Sequence, residues 1–139
     1  MSLIRLLKTV SKAFSWFRKS KPETLGQWGE SKAAEFYRSQ GAKILGRNVK
    51  LGRGELDLVV VQQNRLIFVE VKTRKGSHFG EGWEAVTTSK QKQISRLAVQ
   101  FLKLYPHPHH QIQFDVVSVQ KSDTEFDLKH FPNAFESTI

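Results

Sequence analysis

The sequence predicts an α/β domain of order α-β-β-β-α-β, with a mixed central sheet flanked by helices. Three observations carry this expectation. Residues 24–40 and 87–105 each repeat apolar side chains at helical spacing. Between them, residues 56–61 and 66–71 are nearly continuous runs of Val, Ile, Leu and Phe, which have no polar face and so call for helices on both sides of their sheet. The chain has 139 residues and no Cys, a length at which one domain can bury a core without disulfide or metal staples.

The first helix opens at Thr24, whose hydroxyl can cap the free N–H groups of the first turn, and stops at Gly41. Leu25, Gly26, Gly29, Ala33, Phe36 and Tyr37 share one arc, with Ala34 at its edge. Gly26, Gly29 and Ala33 are small enough for a close approach to a neighbour. Glu30 falls inside the same arc. A carboxylate there either turns outward to solvent or needs a partner, because an isolated buried charge is costly.

Residues 42–49 read as a strand and Gly52-Arg53-Gly54 as a turn. The two apolar runs flank Gln62-Gln63-Asn64-Arg65 and form a hairpin. The second helix begins at Thr87 or Ser89, with Ile94, Leu97, Ala98, Phe101, Leu102 and Tyr105 as its apolar stripe and Lys92, Arg96 and Lys103 off it. Pro106 ends it. Residues 112–119 make a further strand, and residues 126–131 carry the weaker pattern of an edge strand.

The net charge of +9 implies an acidic partner, since clustered cations attract polyanions. It is unevenly spread: residues 1–21 hold six cations and no acid, and residues 32–103 alone carry +8. In residues 1–21, Leu3, Leu7, Val10, Phe14 and Phe17 form a helical stripe among the cations. That basic amphipathic segment suits a peripheral membrane or protein contact, or simply packs on its own domain. A secretory signal is not expected, because Arg5 and Lys8 interrupt its apolar stretch. Lys21-Pro22 sets the boundary of the domain, residues 22–139. Without Cys there is no thiolate metal site or thiol nucleophile; a reducing compartment fits, and the cytoplasm is the expected location.

Charged residues interrupt the two central strands: Asp57 in the first, Glu70 and Lys72 in the second. Alternation puts Glu70 and Lys72 on one face. A two-residue turn at Gln63-Asn64 would set Asp57 directly opposite Glu70. Two facing carboxylates repel unless something positive lies between them. Lys72 could serve in a metal-free ion cluster. A divalent cation could serve equally, held by Asp57, Glu70 and the carbonyl of Val71, with Lys72 directed at an attacking water or a phosphorane. Arg53, Arg74, Lys75, Lys90, Lys92 and Arg96 surround these acids and suit the backbone of a nucleic acid. His107, His109 and His110 lie among prolines with no Cys or acid to complete a zinc set. His78 and Trp83, in a Gly-rich stretch, are candidates for a substrate loop.

Taken in order, Gly29-Glu30 on a helix, Gly54-Glu55-Leu56-Asp57 opening a strand and Phe68-Val69-Glu70-Val71-Lys72 in the next resemble the motifs of the PD-(D/E)xK nuclease superfamily. The likeness spans residues 24–120 and is nearest to the archaeal Holliday-junction resolvases and the small bacterial YraN-like proteins; Asn133-Ala134-Phe135 also looks YraN-like. The resemblance implies a restriction-endonuclease-like fold, with Asp57 and Glu70 as metal ligands, Lys72 as the catalytic lysine and Glu30 as an additional acid beside the metal. Leu56 stands where the superfamily carries a proline. The implied activity is Mg²⁺- or Mn²⁺-dependent hydrolysis of DNA, on branched or otherwise structured substrates and by a homodimer if both strands of a junction are cut. The alternative is a nucleic-acid-binding or partner-binding module of the same fold without strong hydrolytic activity.

Overall fold

A computed structural model describes residues 23–76 and 86–137. The basic segment 1–21, His78 and Trp83 lie outside the described residues. Two helices and five strands follow in the order α1 (Leu25–Ser39), β1 (Lys43–Leu51), β2 (Gly54–Gln62), β3 (Arg65–Lys75), α2 (Thr88–Leu104), β4 (Gln111–Lys121) and β5 (Phe126–Phe135). This is the α/β order expected, with the edge strand present as β5 and longer than the sequence implied.

The strands form one sheet in chain order, β1 to β5. Neighbours are antiparallel except β3 and β4, which run parallel because α2 crosses over between them. On one face Ala33, Ala34 and Tyr37 of α1 pack on Leu58, Val60, Ile67, Val69, Val117 and Val119. On the other, Ile94, Leu97, Ala98 and Phe101 of α2 pack on Val59, Leu66, Phe68, Phe114 and Val116. The unbroken apolar run of β3 is thereby explained, since its odd and even positions serve different helices.

Local chemistry sets the ends. Thr24 accepts from the Gln27 N–H at 3.1 Å while Gln27 accepts from the Thr24 N–H at 3.0 Å, a capping box that fixes where α1 begins. Thr87 accepts from the Lys90 N–H at 3.1 Å and starts α2. Two expectations are corrected at helix ends. Leu25 and Gly26 are exposed rather than packed; the buried residues of α1 begin at Gly29. Tyr105 is the C-cap of α2 and 55% exposed; the helical period runs through it, but the helix has already ended.

Gly29 decides how close α1 sits. A Cβ there would overlap the Thr73 side chain on β3. The second turn of α1, where Gly29 lies, is thus pressed onto the far end of β3.

Candidate metal centre

The site lies where β2 and β3 part. The two strands pair from Gln62↔Arg65 to Leu58↔Val69, the register implied by a two-residue turn. One step further along that register, Asp57 stands across from Glu70. The Val71 N–H is taken by a side chain, donating to Asp57 Oδ2 at 2.9 Å. The N–H and C=O of one residue leave an extended strand on the same side, so the Val71 carbonyl turns toward Asp57 as well.

Glu70 is 6% exposed. Two ammonium groups reach the same oxygen of its carboxylate, with Lys72 Nζ 3.7 Å and Lys90 Nζ 3.8 Å from Oε1. These are ion-pair distances, longer than hydrogen bonds. Burial, followed by repulsion from Asp57, pushes the Glu70 carboxyl up to about 7 despite both lysines. Burial also raises the Asp57 carboxyl, against the opposing pull of the Val71 N–H. The pair is therefore under-compensated as it stands.

Glu30 approaches from α1. Gly29 is clamped on Thr73, and the next residue is carried toward Asn48 of β1, whose side chain favours the ionised form of its carboxyl. Burial, and less strongly the charge of Asp57, raise the Glu30 carboxyl; Asn48 and Arg47 oppose them. Its Oε2 is buried without a hydrogen-bond partner. A solvated, outward-turned Glu30 is thus excluded. Glu55, which precedes the strand's acid, is exposed.

Among the described residues no three His, Asp or Glu side chains converge as a ready-made cage. What the fork offers is two facing carboxylates, a main-chain carbonyl and a further acid behind them. Such an oxygen-only set suits a hard cation that keeps several waters, as Mg²⁺ and Mn²⁺ do. Two facing carboxylates raised by burial and an orphaned carboxylate oxygen are also the features that such an ion would relieve, so the residues fit the group.

The surrounding cations divide. Lys90, expected among the phosphate contacts, is held at Glu70. Arg53 is exposed in the β1–β2 turn, which lies along α2 because Gly54 abuts Leu97, with 2.7 Å between a Cβ there and Leu97 Cδ2. Lys92 and Arg96 are exposed on α2; Arg74 is half-buried and Lys75 exposed at the end of β3.

One polar cluster was not foreseen. Asp115 on β4 is 1% exposed and accepts from Tyr37 Oη at 2.7 Å, Gln113 Nε2 at 2.9 Å and the Asn133 N–H at 3.1 Å, with His130 Nε2 at 2.8 Å. Burial alone would raise this carboxyl, but these hydrogen bonds outweigh it and hold it low. The cluster ties α1, β4 and the irregular end of β5 together. Its signal in the sequence was of the same kind as that of Asp57 and Glu70, an acid interrupting an apolar strand.

Comparison with known proteins agrees with this span. A family model described as "Uncharacterised protein family UPF0102" matches residues 29–119, which include Glu30, Asp57, Glu70 and Lys72. A UPF0102 protein of Syntrophotalea carbinolica is 46% identical over 113 residues, covering 81% of this chain and 92% of its own. One from Syntrophomonas wolfei is 44% identical over 111 residues, covering 80% and 96%. One from Nocardia farcinica is 47% identical over 97 residues, covering 70% and 76%. The solved structure of Pyrococcus furiosus SfsA in complex with Ca²⁺ aligns at 12% identity and a TM-score of 0.30 over 72% of this chain and 58% of that one, too slight a likeness to bear on function.

Proposed function

We propose that this chain, which belongs to the uncharacterised protein family UPF0102, the YraN family that its motifs resemble, is a Mg²⁺- or Mn²⁺-dependent endonuclease hydrolysing DNA phosphodiester bonds in branched or otherwise structured DNA. The observation that carries this reading is the facing pair of half-buried Asp57 and buried Glu70 at the fork of β2 and β3, both raised by loss of solvent and left under-compensated. Two facing acids cost the fold stability beyond what Lys72 and Lys90 return, and a divalent cation between them would offset that cost.

Asp57, Glu70 and the Val71 carbonyl would hold the ion, with Glu30 accepting from its waters. When bound, the ion supplies Lewis-acid polarisation of the phosphate and a water acidic enough to attack at neutral pH. Lys72, 3.7 Å from Glu70, presents an ammonium that can orient the attacking water and offset charge developing on the phosphate oxygens. Arg53, Arg74, Lys75, Lys92 and Arg96 would hold the DNA backbone without reading its sequence. Symmetric cutting of a junction needs two such sites, and a homodimer supplies them.

The second reading is a binding module of the same fold without hydrolysis. It draws on Lys72 and Lys90, which together place two cations against the two acids with no metal. The two separate when junction, flap, single-stranded and duplex DNA are incubated with and without Mn²⁺, beside Asp57→Ala and Lys72→Ala. The enzyme predicts Mn²⁺-dependent cleavage that falls at least 100-fold in both variants, on the order of the contribution of one transition-state charge contact. Binding without cleavage under every condition would establish the module instead.

A further inference from the structure

We infer that Lys90 is a built-in competitor of the metal: its ammonium occupies Glu70 in the metal-free protein and has to leave it when the centre loads, so Lys90 sets the concentration at which the centre fills. The inference rests on the metal-centre part of the endonuclease reading and gives that centre a regulation outside its motifs, whose lysine is Lys72.

Lys90 stands where a helix least favours it. Thr87 caps α2 by accepting from the Lys90 N–H at 3.1 Å, which makes Lys90 the third residue of the helix. In α1 the same position is Gln27, which closes a capping box by accepting from the Thr24 N–H at 3.0 Å. A lysine cannot accept a hydrogen bond, and its charge opposes the positive end of the helix dipole. The first turn of α2 has no acid to offset it. The local cost is met across the fold instead, where Lys90 Nζ lies 3.8 Å from Glu70 Oε1.

That oxygen is shared. Lys72 Nζ lies 3.7 Å from it, and Glu70 is buried, so little of this carboxylate is left to water. A divalent cation on Glu70 would meet both ammoniums at close range, and at equal distance its repulsion of each is twice that between the ammoniums themselves. Lys72 follows Glu70 by two residues on one face of β3, and its stem starts inside the site. Lys90 reaches in from another element. The Thr87 cap holds its backbone, but its stem is flexible and its side chain is 34% exposed, so the ammonium can swing to water without moving α2. Of the two lysines, Lys90 is the one that yields.

A competing reading makes the Lys90–Glu70 pair a fixed strut that holds Glu70 in place for the metal. The two readings give opposite signs to the change in Mn²⁺ affinity when Lys90 loses its charge. Affinity is measured by EPR titration of the full chain, with thermal melts in EDTA, for the wild type, Lys90→Gln, Lys90→Met and Lys92→Met. Lys90→Gln should close a capping box like that of α1 and keep the helix. It should tighten Mn²⁺ binding by at least about 5-fold, the low end of couplings between two binding events, and Lys90→Met should do the same. If one of the two melts below the assay temperature, the other carries the comparison. Lys92→Met removes an equal charge that does not touch the acids and should leave affinity unchanged. Labelling of the wild type with an amine-reactive reagent, read by mass spectrometry, follows the ammonium itself: Mg²⁺ should raise modification of Lys90 relative to Lys92. Unchanged or weaker Mn²⁺ affinity in the Lys90 variants, an equal gain in Lys92→Met, or Lys90 labelling indifferent to Mg²⁺ overturns the inference and leaves the metal reading standing. A wild type that binds no Mn²⁺ overturns both.

Discussion

Glu70 ionises at the expense of the fold that buries it. In the unfolded chain its carboxyl titrates near the ordinary 4.5, and in the folded protein near 7. Between those values the unfolded state releases a proton that the folded state keeps, so the metal-free protein should lose stability as pH rises through this window. The slope from this one group is at most about 1.4 kcal/mol per pH unit. Asp115 has the opposite sign: its lowered carboxyl gives stability that is present above its ordinary range and lost only as the solution becomes more acidic than that. The two effects therefore fall in different windows. Melts in EDTA across pH 5 to 8 should show the wild type declining relative to Glu70→Gln, and Mn²⁺ should raise the wild-type melting temperature more at the alkaline end. A wild type parallel to Glu70→Gln over that range would mean that Glu70 is ionised in the folded state as in the unfolded one, its charge already compensated by Lys72 and Lys90. These residues were legible for a reason: an acid inside an apolar strand calls for a partner, and Asp57 and Glu70 both interrupt such runs, as Asp115 does. Lys90 was read as a phosphate contact, and its place at Glu70 was not legible, because a lysine in a helix acquires that meaning only when α2 is set against the fork.

At the scale of elements, α1 works as a spacer whose distance from the sheet is fixed by one missing side chain. Gly29 meets Thr73 with no room for a Cβ, and Glu30 follows it in the chain. Gly29→Ala should push this part of α1 outward, costing about 1 to 3 kcal/mol as overpacking generally does, and should weaken Mn²⁺ binding because Glu30 retreats. Pairing it with Thr73→Ala should recover most of both losses, since the overlap is with that side chain. Denaturant unfolding and Mn²⁺ titration of the single and double variants measure this, and an unrescued double variant would show that something other than the Thr73 side chain sets the spacing, since Ala on its own favours the helix more than Gly does. The helix itself was readable from its period and from Thr24 and Gly41. Which side of it faces the sheet was readable only in part, because Leu25 and Gly26 sit on the apolar arc yet are exposed. Periodicity gives the face of a helix; the length of the surface beneath it decides how much of that face is covered. The same limit applies to Tyr105, and to β5, whose irregular end is held by Asp115 through contacts no local pattern announces.

For the molecule as a whole, the +9 charge resolves into cations with separate tasks. Lys72 and Lys90 face inward on Glu70, so they compensate buried acid and are not free to release counterions from DNA. Lys92 and Arg96 are exposed on α2, in the helix whose first turn carries Lys90 to the site. If the DNA backbone lies along this helix, each contributes one phosphate contact, worth close to one unit in the slope of log affinity against log salt. The double variant Lys92→Ala/Arg96→Ala should therefore bind junction DNA more weakly at low salt, with a slope shallower by about 2, and should lose affinity to the same extent on unrelated sequences, because phosphate contacts carry no sequence information. Its Mn²⁺ affinity should be unchanged, as neither residue touches the acids. Binding isotherms over a salt series, beside Mn²⁺ titration of the same protein, test both halves. An unchanged slope would move the DNA off α2 and toward Arg53, Arg74 and Lys75 at the sheet end; a fall in Mn²⁺ affinity would show that the outer cations and the buried acids are one electrostatic unit, contrary to the division of labour the geometry implies.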